Sequence, residues 1–212
     1  MVFIKSFIDL KRSNSFDNCI QFACNDFVKN FDHKIRELLH YFPSDYETSN
    51  IHKQKFWTEY KRLPNIINFD STNEIHLGYI CSYAKLLAEM LNIKIDQNIN
   101  LKYVQGVSAL YTIPKFEVKD KNISSKQEDE INAKKKEEET TILEKQILNL
   151  LKENEKLNFI DKSDITPLSL NLDNESEACI SNYHCDFIYY ATCLRAENFR
   201  ISKVIKFILS CI

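Results

Sequence analysis

The stretch S-F-D-N-C-I-Q-F-A-C-N-D-F-V-K-N-F-D-H-K-I-R-E-L-L-H-Y-F-P, residues 15–43, decides the fold class. Apolar side chains recur at Phe16, Cys19, Ile20, Ala23, Cys24, Phe27, Val28, Phe31, Ile35, Leu38, Leu39 and Phe42. Steps of three and four put them on one stripe of a helix, whereas a strand would need strict alternation. Asp17, Asp26, Lys29, Lys34 and Arg36 fall on the opposite face. Ser15 suits an N-cap and Pro43 a stop, so the spacing predicts one long amphipathic helix.

Further elements follow on the C-terminal side. Ile66, Ile67 and Phe69 form a short strand candidate that runs into the capping cluster Asp70-Ser71-Thr72-Asn73. A second helix is predicted from about Ile75 to Leu91, burying Tyr79, Ile80, Tyr83, Leu87 and Met90. A weaker helical pattern covers Leu101 to Leu110 before Pro114, and Phe116 and Val118 alternate as a half-buried strand would. From Lys119 to Thr141 large apolar residues almost vanish, which predicts a solvated, charged insert. Helical spacing returns at Ile142, Leu143, Ile147, Leu150 and Leu151, and Leu168, Leu170 and Leu172 alternate as a strand. A final helix starts near Asn182 and carries Phe187, Ile188, Ala191 and Leu194. The expected architecture is mainly α-helical with a few short β-strands. Residues 1–181 form the main unit, and residues 182–212 form the last helix and the start of a return to a neighbouring domain.

Composition narrows the functions. The 212 residues carry a net charge of −2, which gives no general attraction to nucleic acid or anionic membranes. No apolar run approaches the ~20 residues that span a bilayer. Only two glycines occur, Gly78 and Gly106, where average usage would supply about fifteen. A phosphate-cradling loop needs clustered glycines, so the chain has no autonomous ATP site and no bound cofactor is expected. Seven cysteines without a C-x-x-C pair read as reduced, packed thiols of an intracellular protein.

Candidate chemistry is sparse. His76 and His184 each fall in the first turn of a predicted helix, and Cys179 and Cys185 lie near the second. Neighbours on a helix face different ways, so capping or packing outweighs metal binding. Cys19 and Cys24 sit on the apolar stripe, Cys81 and Cys193 lie inside helices, and Cys211 falls in the apolar end. None has the cation or helix start that activates a thiol. Lys61-Arg62 beside Trp57 could grip an acidic partner, but stems lying on an aromatic ring are the commoner arrangement. The Lys134–Lys136 and Glu137–Glu139 runs neutralise one another. No catalytic, cofactor-binding or metal-ligating residue is assigned.

Four motifs in order carry a resemblance. F-W-T-E-Y-K-R-L-P from Phe56 is similar to the F-W-x-x-x-K-R-x-P of ubiquitin-activating enzymes, and N-F-D-S-T-N-E-I-H-L-G-Y-I from Asn68 to their F-D-x-x-N-x-x-H-L-x-Y. H-C-D-F-I from His184 and L-R-A-E-N-F from Leu194 resemble their H-x-D-F-I and N-L-R-A-x-N-Y. Gly78 stands where an acidic residue is common, and Cys193 replaces the usual Asn before L-R-A. The resemblance implies the helical half of the second catalytic cysteine domain, starting downstream of the nucleophilic cysteine, whose motif none of the seven cysteines occupies. It implies a parent enzyme that adenylates ubiquitin with Mg-ATP, holds it as a cysteine thioester and passes it to a ubiquitin-conjugating enzyme; the alternative reading is a stand-alone helical protein-interaction module without catalysis. The partners expected from it are ubiquitin, conjugating enzymes and the adenylation domain of the same protein, in the cytoplasm and nucleus. The apolar end Val204–Ile212 would be the severed connection to that domain.

Because loop-closure entropy grows slowly with length, the 119–141 insert should cost the fold little. Limited proteolysis is expected to cut there first and leave two fragments that stay associated. Strong amide protection throughout the segment would contradict this.

Overall fold

The computed structural model describes residues 2–47, 54–96, 99–118 and 183–202, with scattered helical positions between 142 and 152. The 119–141 insert, the strand candidate at 168–172, Cys179, Cys211 and the end at 204–212 lie outside the described residues. Six α-helices organise the rest: α1 (Val2–Ser13), α2 (Phe16–Phe27), α3 (Lys34–Tyr41), α4 (Glu74–Met90), α5 (Leu101–Ala109) and α6 (Tyr183–Asn198).

The apolar stripe of residues 16–42 does wind as continuous helix, but not as one regular α-helix. Between α2 and α3, residues Val28–His33 take the wider π geometry. Helix α1 answers to none of the predicted elements. It buries Ile8 and Leu10 and sets Phe7 edge-on to Phe22 at 5.3 Å. Its Lys11 Nζ donates to the carbonyls of Leu91 and Asn92, satisfying the free end of α4.

Helix α4 is the central element and packs against α2, α5 and α6. Asn73 caps it, its side-chain oxygen accepting from the N–H groups of Ile75 (2.9 Å) and His76 (3.3 Å). Asn92 ends it in a left-handed turn (φ 50°), from which Ile93 N–H reaches back to Ala88 O at 2.7 Å. Apolar residues surround this helix on most sides, as enclosure by three neighbours requires. Met90, expected inside, is instead 47% exposed at its last position. On α6 Ile188 faces out against expectation, whereas Leu194 and Cys193 are buried as their places in the helix imply.

The core runs from Ile20, Cys24 and Phe27 of α2 through Ile80, Ala84 and Leu87 of α4 to Leu194 of α6. Phe27 lies within 6 Å, centroid to centroid, of Phe31, Phe69, His76 and Tyr79. Phe187 of α6 continues this aromatic layer against Tyr79 and Tyr83 at 5.4 and 5.1 Å. The strand candidates at 66–69 and 116–118 are extended chain without sheet pairing. An isolated antiparallel bridge, Glu47–Lys55, is the β pairing found among the described residues. The Ile67 N–H goes to the helical Phe31 carbonyl instead, as described below.

Where α4 meets α6, the Tyr190 ring lies directly over Gly78. A Cβ built on Gly78 would come within 2.2 Å of Tyr190 Cζ. Gly78 is therefore required by close approach and not by backbone conformation. Gly78→Ala should destabilise the fold by ~1–3 kcal/mol in urea unfolding through overpacking. In a Tyr190→Ala background the same change should turn neutral or stabilising by up to ~1 kcal/mol, because alanine is the better helix former. Equal effects in both backgrounds would contradict the contact.

Candidate functional site

Residues of three motifs, Arg62, Asn68, Arg195 and Asn198, meet at one junction, built from the π turn, the segment 62–69 and the last turn of α6. Phe31, inside the π turn, presents its carbonyl to two donors from outside the helix: Ile67 N–H at 3.3 Å and Asn198 Nδ2 at 3.1 Å. A π turn interrupts the regular i→i−4 ladder, and such turns leave carbonyls able to serve other partners. Asn198 is fully buried, and Nδ2 also donates to Asn65 O at 2.8 Å. Asn65 N–H answers by donating to Asn198 O at 2.6 Å. Asn198 Oδ1 accepts from Arg195 Nη1 at 3.3 Å, and the Arg195 guanidinium lies over the Phe31 ring at 5.0 Å. Arg36 adds a further tie, pairing with the buried Asp32 and reaching Asn68 Oδ1 at 3.1 Å.

Both histidines have structural partners. His76 is buried beside Phe27, and its Nδ1 accepts from Asp70 N–H at 3.1 Å. Asp70 in turn accepts both the Thr72 N–H and the Thr72 hydroxyl, which holds its carboxyl below the usual range. His184 Nε2 meets Glu89 Oε2 at 3.1 Å, and the Tyr183 hydroxyl donates to the same oxygen at 2.8 Å. This contact ties the start of α6 to the end of α4. Among the described residues, no group of three or more His, Cys, Asp or Glu converges as a metal site would.

Burial works against activation of the thiols on α2 and of Cys81 on α4. Burial pushes Cys19 and Cys24 up to about 12. Cys81 is raised by burial first, with Lys85 opposing and Asp186 adding to the shift. Cys193 is buried and Cys185 half-buried. Thiolate, not thiol, is the nucleophile, so the settings of Cys19, Cys24 and Cys81 suppress attack. The two glycines lie inside α4 and α5, so neither shapes a phosphate-binding turn, and the described residues do not fit Mg-ATP.

Lys61 and Arg62 take the structural option. Lys61 Nζ lies 3.2 Å from the centroid of Phe56, and Arg62 Nη1 donates to Arg200 O at 3.0 Å. Phe56 stacks on Phe42 at 4.4 Å, and Trp57 Nε1 donates to the carbonyls of Phe42 (3.0 Å) and Pro43 (3.1 Å). Sequence reasoning missed Asn198, the π turn, and the Tyr79 hydroxyl's bond to Asp26 at 2.9 Å. Asn198 was within reach as a polar residue in the last turn of an otherwise apolar helix face. The π turn left no trace in the apolar spacing.

A mainly helical domain whose motif residues serve as backbone anchors is thus defined, and it belongs to the ubiquitin-activating enzymes. The family described as "Ubiquitin-activating enzyme, SCCH domain" matches residues 3–207. The chain is 30% identical over 198 residues to human "Ubiquitin-like modifier-activating enzyme 1", covering 91% of this chain and 17% of that protein. It is 30% identical over 206 residues to Schizosaccharomyces pombe "Ubiquitin-activating enzyme E1 1", covering 96% and 19% respectively. Human "Ubiquitin-like modifier-activating enzyme 6" is 28% identical over 204 residues, covering 93% and 18%. The chain therefore spans less than a fifth of the length of these relatives. None of the helices among the described residues is long and apolar enough to cross a membrane.

Asn198→Ala removes two donated bonds, to Phe31 O and Asn65 O, inside the core. It should cost about 2–3 kcal/mol in urea unfolding, from about 1 kcal/mol per bond plus the desolvated carbonyl of Asn65. Asn198→Asp should cost at least as much, since it turns a carboxylate towards two carbonyls. A loss under ~0.5 kcal/mol for either variant would contradict the anchoring role.

Proposed function

We propose that this chain is the helical half of the cysteine domain in a ubiquitin-activating enzyme, where it positions the thioester-forming apparatus without supplying its nucleophile. The family match over residues 3–207, falling on a fold whose motif side chains bind backbone, carries this reading. In the intact enzyme, ubiquitin would be adenylated with Mg-ATP, transferred to a cysteine as a thioester and passed to a conjugating enzyme. The adenylation domain, ubiquitin and conjugating enzymes are the proposed partners, and the cytoplasm and nucleus the proposed compartments. Mg-ATP would bind elsewhere in the parent protein, because this chain has no glycine-rich turn for the phosphates. What its residues contribute is a fixed frame: α4 clasped by α2 and α6, and the 62–69 segment stapled between the π turn and Asn198.

Two assays test the proposal. Incubated with ubiquitin, Mg-ATP and the separate adenylation half of the parent enzyme, the chain should give no adduct on a non-reducing gel that thiol reductant removes. A reducible adduct mapping to any of its seven cysteines would show that it does supply a nucleophile. In the second assay, the chain replaces the matching segment of the S. pombe relative. The chimera should still form an ATP-dependent, reductant-sensitive ubiquitin thioester. A chimera that folds, as judged by its melting transition, yet never charges would overturn the positioning role.

A further inference from the structure

Three non-glycine residues among the described ones have positive φ: Asn14 (46°), Asn92 (50°) and Arg200 (53°). Two are asparagines at helix ends, the side chain that tolerates this region best after glycine. Arg200 is different. An arginine Cβ crowds the backbone in the left-handed region, so this conformation must be held by its surroundings.

The surroundings supply that hold. Arg200 N–H donates to Glu197 O at 3.2 Å and Ile201 N–H to Ala196 O at 2.8 Å, the paired closing bonds of a helix end. Arg200 Nη2 donates to Asn65 Oδ1 at 2.7 Å. Its carbonyl accepts from Arg62 Nη1 at 3.0 Å. Arg62 and Asn65 come from the same extended segment, and Asn65 is itself fastened to Asn198. The side chain and the carbonyl of one strained residue are thus both gripped by a segment more than 130 positions away in sequence.

We infer that the end of α6 is a strained latch, in which Arg62 and Asn65 hold Arg200 left-handed and thereby set the direction in which the backbone leaves the helix. Closing the latch also places Phe199 and Ile201, which with Leu38, Trp57 and Tyr60 wall a surface groove beside α3. Opening it would let Arg200 relax to negative φ, swing residues 199–202 away and dismantle that wall. The device depends on exposed polar contacts over a rigid base, so it can open without unfolding the core. It stands whether or not the proposed function holds, since it rests on this junction alone.

Amide exchange followed by NMR on the full 212-residue chain tests the latch. The rate at Ile201, whose N–H closes the turn, is divided by that at Ile80 in the buried centre of α4, so a general loosening cancels. Arg62→Ala should raise the ratio about five- to tenfold, the effect of losing one bond to the latch. Arg200→Ala and Arg200→Gly both remove the guanidinium, but only glycine relieves the strain. The alanine variant should therefore exchange at least about fivefold faster than the glycine variant. A ratio for Arg62→Ala within about twofold of the parent chain, or a glycine variant no slower than the alanine variant, would overturn the inference.

Discussion

The structure depends on a single backbone carbonyl, that of Phe31, accepting from both Ile67 N–H and Asn198 Nδ2. One acceptor thus holds three parts of the chain: the helix it belongs to, the extended segment at 65–69 and the end of α6. A buried carbonyl must find partners, and leaving it without one costs about as much as a lost hydrogen bond. The π turn gives the helix the local geometry for this exchange, and Asn198 supplies a donor that no apolar residue could. The extended segment then needs no sheet. Its polar groups turn to α6, the π turn and Arg36, which is why strand-like residues form no strand here.

Around that junction the apolar core does the ordinary work of stabilisation, and its geometry follows from the size of a few side chains. Gly78 lets α6 come close enough for Tyr190 to lie over α4. Phe187 then reaches Tyr79 and Tyr83, joining α6 to the aromatic layer that begins at Phe27. Tyr79 is buried with its hydroxyl on Asp26, and burial followed by that carboxylate raises its pKa. Polar groups fasten both ends of α6: Tyr183 and His184 to Glu89 of α4 at its start, Asn198 to Asn65 of the 62–69 segment at its end. A helix fixed at both ends and close-packed between them has little freedom to slide.

How much of this could be read from the sequence follows from which interactions are local. Helices α4, α5 and α6 were predicted within a residue or two, because capping and periodicity act within a few positions of chain. Asn73 was inside the predicted capping cluster for the same reason. The strand expected at Ile66, Ile67 and Phe69 does not form, because strand pairing is a tertiary choice that the local residues do not fix. Helix α1 went unseen because its stabilisation comes from Phe22 and the carbonyls at 91–92, all distant in sequence. The π turn was invisible for a subtler reason. Phe27, Val28, Phe31 and Ile35 keep helical spacing, so the apolar stripe reads the same with or without the wider turn.

The junction also explains how a segment whose motif side chains bind backbone can carry recognisable motifs. Apolar core positions accept substitutes of similar volume, as Cys19, Cys24 and Cys193 illustrate by packing as small hydrophobes. Polar anchors do not. Asn198 needs a donor directed at two carbonyls while its oxygen receives Arg195, and neither Asp nor Leu provides that pattern. Arg62 needs the length and the N–H geometry to reach the carbonyl of Arg200. His76 needs a ring nitrogen that accepts from Asp70 N–H while its carbons pack on Phe27. These are the Arg of K-R-L-P, the His of the N-F-D to Y-I stretch and the Asn of L-R-A-E-N-F. Two of the departures from the motifs, Gly78 and Cys193, fall instead where close packing leaves little room. These motif side chains thus show how the domain is fastened together.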